Sequence, residues 1–237
     1  MRLKDKVVVA TGGAGPLGRE VTKKFLAEGA KMVIGWHTPE VWEEAKKLIP
    51  SDYKGQLTDM NVDVTKEDQV QSLMEKAKST FGSIDVLLHM AGMFHAGPML
   101  WETDTAVWER LVDVNLKSAF LCSKHAIKVM LEKKSGRIVV FPPTLVNEPH
   151  PHLGPYAMSK AGLLTLVNQL REELKDTNIT ANAVMISIMD TWKTKNMPNA
   201  TPDKYVKPTD LAECLCALCS DQCNVLSGSI LKVLGKV

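Results

Sequence analysis

A tyrosine and a lysine four residues apart, Tyr156 and Lys160, have the spacing that places two side chains on one face of a helix. The surrounding segment Pro155–Leu174 has helical periodicity, so we expect the pair to share such a face. An ammonium beside a phenol favours the phenolate and lowers the tyrosine pKa from its reference value of about 10. A tyrosine tuned in this way donates or accepts protons near neutral pH. Because such a pair usually lies on a surface, its meaning depends on the elements around it.

A glycine-rich turn, Thr11–Gly18, separates a short β-branched run at Lys6–Ala10 from the predicted helix Leu17–Glu28. Strand, glycine turn and helix in this order are the context that a dinucleotide site requires. Glycines let the backbone approach a pyrophosphate, and the helix N-terminus offers free N–H groups and the positive end of its dipole. The turn therefore predicts a phosphate-binding site.

Predicted strands and helices alternate along the whole chain. The strands are nearly continuous runs of Val, Ile and Leu, as expected when helices cover both faces of a sheet. Alternation with right-handed crossovers predicts a single-domain α/β fold, a Rossmann-type doubly wound parallel sheet of about seven strands. The predicted strands are Lys6–Ala10, Lys31–Gly35, Leu57–Val62, Ile84–Met90, Arg137–Phe141, Ile179–Met185 and Ser229–Val233. The predicted helices are Leu17–Glu28, Val41–Ile49, Gln69–Phe81, Thr103–Met130, Pro155–Leu174 and Asp210–Ser220.

Composition excludes several classes of protein. The chain has 237 residues, 45% of them hydrophobic and 24% charged, which argues against disorder. A net charge of +2 shows no basic excess of the kind that binds nucleic acid. No apolar run approaches the ~18 residues needed to cross a bilayer, so we expect no membrane association. The first apolar run leads straight into the glycine turn, so it is interpreted as a strand. Residues 1–237 are interpreted as one domain.

Four of the five cysteines crowd into ten residues: Cys214, Cys216, Cys219 and Cys223, with Cys122 apart. A metal site is one interpretation. However, the segment has a helical pattern, and residues two apart on a helix point about 200° apart. Cys214 and Cys216 would therefore not share an ion. We predict reduced thiols, no metal, and a reducing cytoplasm as the location.

Taken together, these motifs resemble the short-chain dehydrogenase/reductase family over essentially the whole chain. The order and spacing of the motifs are specific for this family. The matching residues are Thr11-Gly12 with Leu17-Gly18, Asp63-Val64, Ala91-Gly92, Asn115, Tyr156, Lys160, Asn182-Ala183-Val184, Thr191 and Ser227-Gly228.

The resemblance implies an NAD(P)-dependent oxidoreductase that acts on a small carbonyl or alcohol. In the family, the tyrosine transfers a proton, the lysine holds the nicotinamide ribose and lowers the tyrosine pKa, and the asparagine anchors a water. By resemblance, Tyr156, Lys160 and Asn115 are expected to take these roles here. The residues implied in cofactor binding are Gly12, Gly15, Leu17, Gly18, Trp36, His37, Asp63, Val64, Ala91, Gly92, Tyr156, Lys160 and Thr191.

Several positions depart from the family pattern. The substrate-binding serine, thirteen residues before the tyrosine, is Pro143, which has no hydroxyl, and Thr144 is the nearest replacement. The central glycine of the cofactor turn is Pro16. His89 and Met90 replace the two asparagines of the Asn-Asn-Ala-Gly motif. The vacant serine position favours a second hypothesis, a nucleotide-binding family member with weak or no turnover. A third is a structural subunit of a larger assembly.

Trp36 follows the second strand, where NAD-using relatives carry an acidic residue on the ribose 2′-OH. NADP users usually carry an arginine nearby, and this chain has His37. One interpretation of Trp36 is that it simply lies over the adenine. Because no carboxylate would repel a 2′-phosphate here, we prefer NADP over NAD.

Two loops are expected near the substrate. Ser187–Lys207 is predicted to form a loop or lid over the carboxyl ends of the strands. His150 and His152 precede Tyr156. We interpret them as solvated loop histidines, with substrate contact or auxiliary proton transfer as the alternative.

The two long helices, Thr103–Met130 and Pro155–Leu174, carry apolar residues on more than one face. One face covers the sheet, and a second must be buried elsewhere. In the family, these helices pair across a two-fold axis, so we predict a homodimer or homotetramer. The apolar residues considered are Leu111, Val114, Phe120, Leu163, Leu166 and Leu170.

Overall fold

A computed structural model describes residues 1–236, with the backbone alone described at Lys54 and Lys193. Seven parallel strands form one sheet in the order β3-β2-β1-β4-β5-β6-β7. The strands are β1 (Val7–Thr11), β2 (Lys31–Trp36), β3 (Leu57–Asn61), β4 (Val86–His89), β5 (Ser135–Val140), β6 (Asn178–Ile186) and β7 (Ile230–Val233). The predicted parallel Rossmann-type sheet is therefore confirmed.

Helices cover both faces of this sheet. The helices are α1 (Pro16–Ala27), α2 (Pro39–Lys46), α3 (Glu67–Phe81), α4 (Thr105–Val112), α5 (Ser118–Met130), α6 (Gly154–Glu173), α7 (Trp192–Lys195) and α8 (Pro208–Leu218). Side chains of α1, α2 and α8 form the core on one face, and those of α3, α5 and α6 form the core on the other. Successive residues of β1 alternate between the two cores, because strand side chains alternate in direction.

The strand order reverses between β1 and its neighbours β2 and β4, which both pair with it. In open α/β sheets, ligands bind at the carboxyl ends of the strands beside such a switch point. At this place the turn after β1 meets the segment after β4. Gly12 has φ of +68°, and a Cβ there would lie 2.7 Å from the backbone nitrogen of Ala91. A side chain at position 12 would therefore force the two segments apart.

The single helix predicted over Thr103–Met130 is interrupted. A π turn, Asp113–Lys117, joins α4 to α5. The periodicity did not reveal it because a π turn inserts only one residue into an otherwise helical ladder. Asn115 lies in this turn and is fully buried, and its side-chain hydrogen bonds with other segments hold the irregular backbone.

The stretch Ser187–Lys207, predicted as a loop, contains the short helix α7 and a 3₁₀ turn at Pro202–Lys204. The helix begins with a capping box in which Thr191 and Thr194 satisfy each other's backbone N–H groups. The segment is therefore more ordered than its prolines suggested.

Candidate active site

A cavity of about 280 Å³ opens at the carboxyl ends of the central strands. Its wall is formed by the glycine turn, by the segments that follow β4, β5 and β6, and by α6. The predicted site residues that line it are Gly12, Gly15, Leu17, Gly18, Gly92, Tyr156 and Lys160. The predicted residues Ala91, Asn115, Trp36, His37, Asp63, Val64, Thr144 and Thr191 lie outside the described wall.

The start of α1 supplies hydrogen-bond donors to this cavity. Gly15 is the N-cap and Pro16 the first helical residue, where its missing N–H is no loss. Within residues 1–236, the backbone N–H groups of Leu17 and Gly18 have no acceptor. Free N–H groups at the positive end of a helix dipole suit a pyrophosphate.

Lys160 is buried beneath the cavity with 7% of its surface exposed. Its Nζ lies so close to Gly92 that a Cβ on that glycine would be 2.7 Å away. No hydrogen bond or ion pair joins this ammonium to an acceptor in the described part of the chain. Burial lowers the pKa of Lys160 to about 8. A buried cation without a partner fits a ligand that brings hydroxyl acceptors, such as a ribose.

Tyr156 lies one helical turn before Lys160, with its ring edge against Phe94 at 5.1 Å between centroids. Burial raises the pKa of Tyr156 to about 12. This direction is opposite to the one expected from the spacing. The cause is desolvation of the phenolate by burial, and no hydrogen bond joins the phenol to Lys160 among the described residues.

Asn115 connects the π turn to the helix that carries the tyrosine. Its Nδ2 donates to Ser159 Oγ at 2.9 Å, and Ser159 Oγ donates to the carbonyl of Tyr156 at 2.7 Å. The same amide also grips the backbone of Met93, with Oδ1 accepting from N–H at 2.8 Å and Nδ2 donating to the carbonyl at 2.9 Å. Asn115 therefore fixes the cavity wall at Met93 relative to Tyr156.

His89, at the end of β4, forms a closed hydrogen-bond chain. Ser118 Oγ donates to the carbonyl of Val114 at 2.6 Å, so it accepts from His89 Nε2 at 3.0 Å. The other ring nitrogen then accepts from Thr11 Oγ1 at 2.9 Å, and Thr11 Oγ1 accepts in turn from the Ala91 N–H at 3.4 Å. Burial, with a smaller effect of the Lys160 charge, lowers the pKa of His89 to about 3, which keeps the ring neutral. Sequence analysis missed this structural role.

Pro143, not Thr144, lines the cavity at the position of the family's serine. Pro142 accepts a hydrogen bond from the Ile186 N–H at 3.1 Å, which holds the end of β5 against β6. Thr144 is buried and begins a 3₁₀ turn. Its hydroxyl has no hydrogen-bond partner among residues 1–236, and it is not part of the described cavity wall.

At the end of β2, the Trp36 ring stacks on Trp42, with 6.3 Å between centroids and 16° between planes. Asp59 Oδ1, on the neighbouring strand β3, accepts both indole N–H groups, at 2.6 Å from Trp36 and 2.9 Å from Trp42. His37 follows and is exposed. Asp59 was missed because its only signal in the sequence is an acidic residue inside a predicted strand.

The remaining predicted residues lie around the cavity rather than in its wall. Asp63 Oδ1 accepts from the N–H and the hydroxyl of Thr65. Burial alone would raise the pKa of Asp63, but these hydrogen bonds outweigh it and lower the pKa. Val64 packs against the core, and Thr191 caps α7. His150 is exposed, and His152 bonds the backbone of Gly97.

The cysteines are all free. Cys214 is exposed and Cys216 is buried, so the two point to different sides of α8 as the helical spacing predicted. Within the described part of the chain, no three His, Cys, Asp or Glu side chains are grouped to hold a metal ion. No described helix combines the length and the apolar character that membrane crossing requires.

The chain resembles known proteins in sequence and in structure. Residues 6–201 match the family model described as short chain dehydrogenase. The chain belongs to this family. A cis-4-hydroxycyclohexanecarboxylate dehydrogenase of Sinomonas cyclohexanicum is 30% identical over 98% of this chain and 96% of its own. A 3beta-hydroxysteroid dehydrogenase of Eggerthella lenta is 32% identical over 98% of this chain and 94% of its own.

Solved structures of the family superpose closely on the whole chain. A short-chain dehydrogenase/reductase from Serratia marcescens has a TM-score of 0.89 at 25% identity, covering 100% of this chain and 99% of that one. A putative 3-oxoacyl-reductase from Bacillus thuringiensis has a TM-score of 0.86 at 27% identity, covering 98% of each chain. The protein is therefore an oxidoreductase of the short-chain dehydrogenase/reductase family, which implies a nicotinamide cofactor and a small-molecule substrate.

Proposed function

We propose that the protein transfers hydride between NAD(P)H and a carbonyl or alcohol, with Tyr156 as the acid/base. One observation carries this proposal. A single cavity is lined by the glycine turn with its free N–H groups, by the buried unpaired Lys160 and by Tyr156. The free donors and the unpaired cation fit a nicotinamide dinucleotide, which has phosphates for the former and ribose hydroxyls for the latter.

Each of these residues then has a specific role in cofactor binding or proton transfer. Leu17 and Gly18 N–H groups bind the pyrophosphate, and Lys160 Nζ holds the nicotinamide ribose. The bound cofactor supplies the hydride. Tyr156 Oη donates its proton to the carbonyl oxygen as negative charge develops there. With a pKa of about 12 the phenol is protonated at neutral pH, which is the form that reduction needs. Asn115 fixes the position of the Met93 backbone relative to the helical turn that carries Tyr156.

The substrate class follows from the wall opposite the glycine turn. Met93, Phe94, Phe141 and Met189 line it, and Pro143 replaces a hydroxyl with an apolar ring. Lys160 is the only formally charged side chain among the described lining residues, and its place is beside the ribose. We propose an uncharged, apolar secondary alcohol or ketone. The names of two relatives refer to hydroxyl groups on ring compounds, a cyclohexane that also carries a carboxylate and a steroid. The ring with its hydroxyl is what these two names share, and it is the part that apolar walls of this kind would fit.

The test is a panel of cyclic ketones and charged 2-oxo acids, each offered with NADPH and with NADH. Consumption of the reduced cofactor is followed, and binding of each nucleotide is titrated separately by tryptophan fluorescence. We expect both binding and turnover, with cyclic ketones reduced faster than the acids. Turnover of the charged acids alone would contradict the proposed substrate class.

A second function, nucleotide binding without turnover, is favoured by Pro143 at the serine position. Losing one preorganised donor to the developing oxyanion costs about 10²–10³ in rate. Tight binding of a nucleotide with no reduction of any ketone in the panel would support this second function. Absence of any nucleotide binding would contradict both.

We also propose a homodimer or homotetramer in which a single domain carries both cofactor and substrate sites. Fewer of the predicted apolar residues are available for an interface, since Leu111, Leu163 and Leu170 are buried within the chain. Phe120 on α5 and Met158 on α6 remain exposed, at 51% and 45%. A monomer in sedimentation at micromolar concentration would contradict an oligomer.

We propose the cytoplasm as the location, because the five free cysteines suit a reducing compartment. Nucleic acid is not proposed as a partner, given the net charge of +2.

A further inference from the structure

The corner that receives the adenosine ribose lies between the glycine turn and the end of β2. In this chain the residue at the end of β2 cannot recognise the ribose by hydrogen bonding. Trp36 has one polar atom, the indole Nε1, and it donates to Asp59 at 2.6 Å. Stacking on Trp42, which is 1% exposed, holds the ring in this position. A side chain that distinguishes a 2′-phosphate from a 2′-hydroxyl would therefore have to come from another residue.

Arg19 is in the right place to do so. Its Nε donates to the carbonyl of Ala14 in the glycine turn at 2.9 Å, and its Nη2 contacts the carbonyl of Val41 in the first turn of α2 at 3.4 Å. The guanidinium thus bridges the two segments that enclose the ribose corner. Of its five N–H groups, these contacts use two, and the others remain for a ligand.

The charge of Arg19 is also unpaired. No carboxylate within residues 1–236 forms an ion pair with it, although its neighbours on α1 and α2 do form such pairs. Lys23, one turn further along α1, pairs with Glu20 at 2.7 Å. Glu44, whose carboxyl feels the Arg19 charge, bonds Lys47 instead. An arginine fork without a counter-ion matches the geometry of a phosphate.

We propose that Arg19 recognises the 2′-phosphate of NADP(H), and that the protein prefers NADP(H) over NAD(H) for this reason. The inference rests on the proposed cofactor site and names the residue that sets its specificity. His37 follows Trp36 and is exposed. Asp59 Oδ1 accepts both indole N–H groups, so this carboxylate is directed at the Trp36–Trp42 pair.

The test uses two probes that lack the nicotinamide half, adenosine 2′,5′-bisphosphate and AMP. Their affinities are measured by calorimetry on the whole protein at one salt concentration. We expect the wild type to bind the bisphosphate about tenfold or more tightly than AMP, as a charge-assisted hydrogen bond provides. Arg19→Gln should abolish this preference by weakening the bisphosphate alone. Lys23→Gln removes the same charge one turn away and should retain the preference.

Because Arg19 also bonds two backbone carbonyls, Arg19→Lys serves as a second variant that keeps the charge, and thermal unfolding checks all three variants. Arg19→Lys should keep part of the preference. The inference is wrong if Arg19→Gln, folded, still prefers the bisphosphate, or if the wild type binds both probes equally. Equal binding would leave the proposed oxidoreductase intact as an NAD-using enzyme. Failure of the wild type to bind either probe would overturn the inference and the cofactor site together.

Discussion

The two sides of the cavity differ in whether their polar side chains have hydrogen-bond partners within the protein. On the helical side, Asn115, Tyr156 and Lys160 keep the family's residues, and Lys160 and Tyr156 keep polar atoms that no described residue engages. On the strand side, the family's polar residues are replaced. Both ring nitrogens of His89, at the end of β4, are hydrogen-bonded to other side chains of the protein. Pro143, after β5, has no side-chain hydrogen-bonding group.

This difference separates structural from chemical roles. A buried polar group normally has a partner, because an unpaired one costs about 1–3 kcal/mol. The unpaired Lys160 therefore indicates a ligand, whereas the satisfied His89 indicates a support for the strand ends. The residues proposed for proton transfer, Tyr156, Lys160 and Asn115, are retained, whereas Pro143 replaces the family's substrate-binding serine.

The largest effect is expected on the helical side, from Tyr156→Phe. Removing the phenolic oxygen removes the proposed acid, so the rate should fall by about 10²–10⁴. Steady-state reduction of the best ketone in the panel measures this. Ser187 also lines the described wall, but its hydroxyl donates to the carbonyl of Leu234. The phenyl ring keeps its packing on Phe94, so nucleotide binding should change little.

Tyr53→Phe is the matched control for that substitution, because Tyr53 does not line the cavity. It should leave turnover unchanged. Wild-type turnover in Tyr156→Phe would show that the family's acid/base mechanism does not operate in this protein.

An intermediate effect is expected on the strand side, from His89→Leu. The substitution leaves the Thr11 O–H without an acceptor and removes the donor to Ser118 Oγ, which still donates to the carbonyl of Val114. The free energy of unfolding should therefore fall by about 1–3 kcal/mol. Denaturant unfolding at about pH 7.5 measures this, with the exposed His150→Leu as the control. No loss of stability in His89→Leu would contradict a structural role for the chain of hydrogen bonds.

The same variant has a pH signature. The folded protein keeps His89 neutral down to about pH 3, whereas an unfolded chain protonates histidine near its ordinary pKa of about 6.5. Between these values the unfolded state binds more protons, so the stability contributed by His89 falls as the pH falls. The stability difference between the wild type and His89→Leu should therefore narrow from about pH 7.5 to about pH 5. A constant difference would contradict the lowered pKa.

The smallest effects are expected where the serine is missing. Pro143→Ser places a hydroxyl on the cavity wall and should raise the rate for simple ketones. The gain should stay below the factor of about 10²–10³ that a preorganised donor provides, because a newly introduced hydroxyl is not preorganised. Thr144→Val should change the rate by less than about threefold, since Thr144 is outside the described cavity wall.

Steady-state kinetics on both variants distinguishes two sources of a hydrogen bond to the substrate oxygen in addition to the one from Tyr156. A large loss in Thr144→Val with no gain in Pro143→Ser would assign the missing hydroxyl to Thr144. Activity that appears only in Pro143→Ser would instead favour the binding protein.

The sequence by itself determined the features that depend on local spacing. The β-branched runs and helical periodicities predicted the parallel sheet, because strand and helix repeats are written in consecutive residues. The glycine turn and the i, i+4 pair of Tyr156 and Lys160, both recognised from the sequence, line one cavity. Both features act within a single turn or one helical face.

The tertiary structure decided what depends on contacts between distant segments. The direction of the Tyr156 pKa follows from burial, which its spacing from Lys160 does not reveal. The partners of His89 come from β1 and α5, and Asp59 meets Trp36 across two strands. The π turn at Asn115 is likewise held by bonds to other segments. The burial of a side chain and its hydrogen bonds to distant segments arise only when the chain packs, so no local pattern in the sequence predicts them.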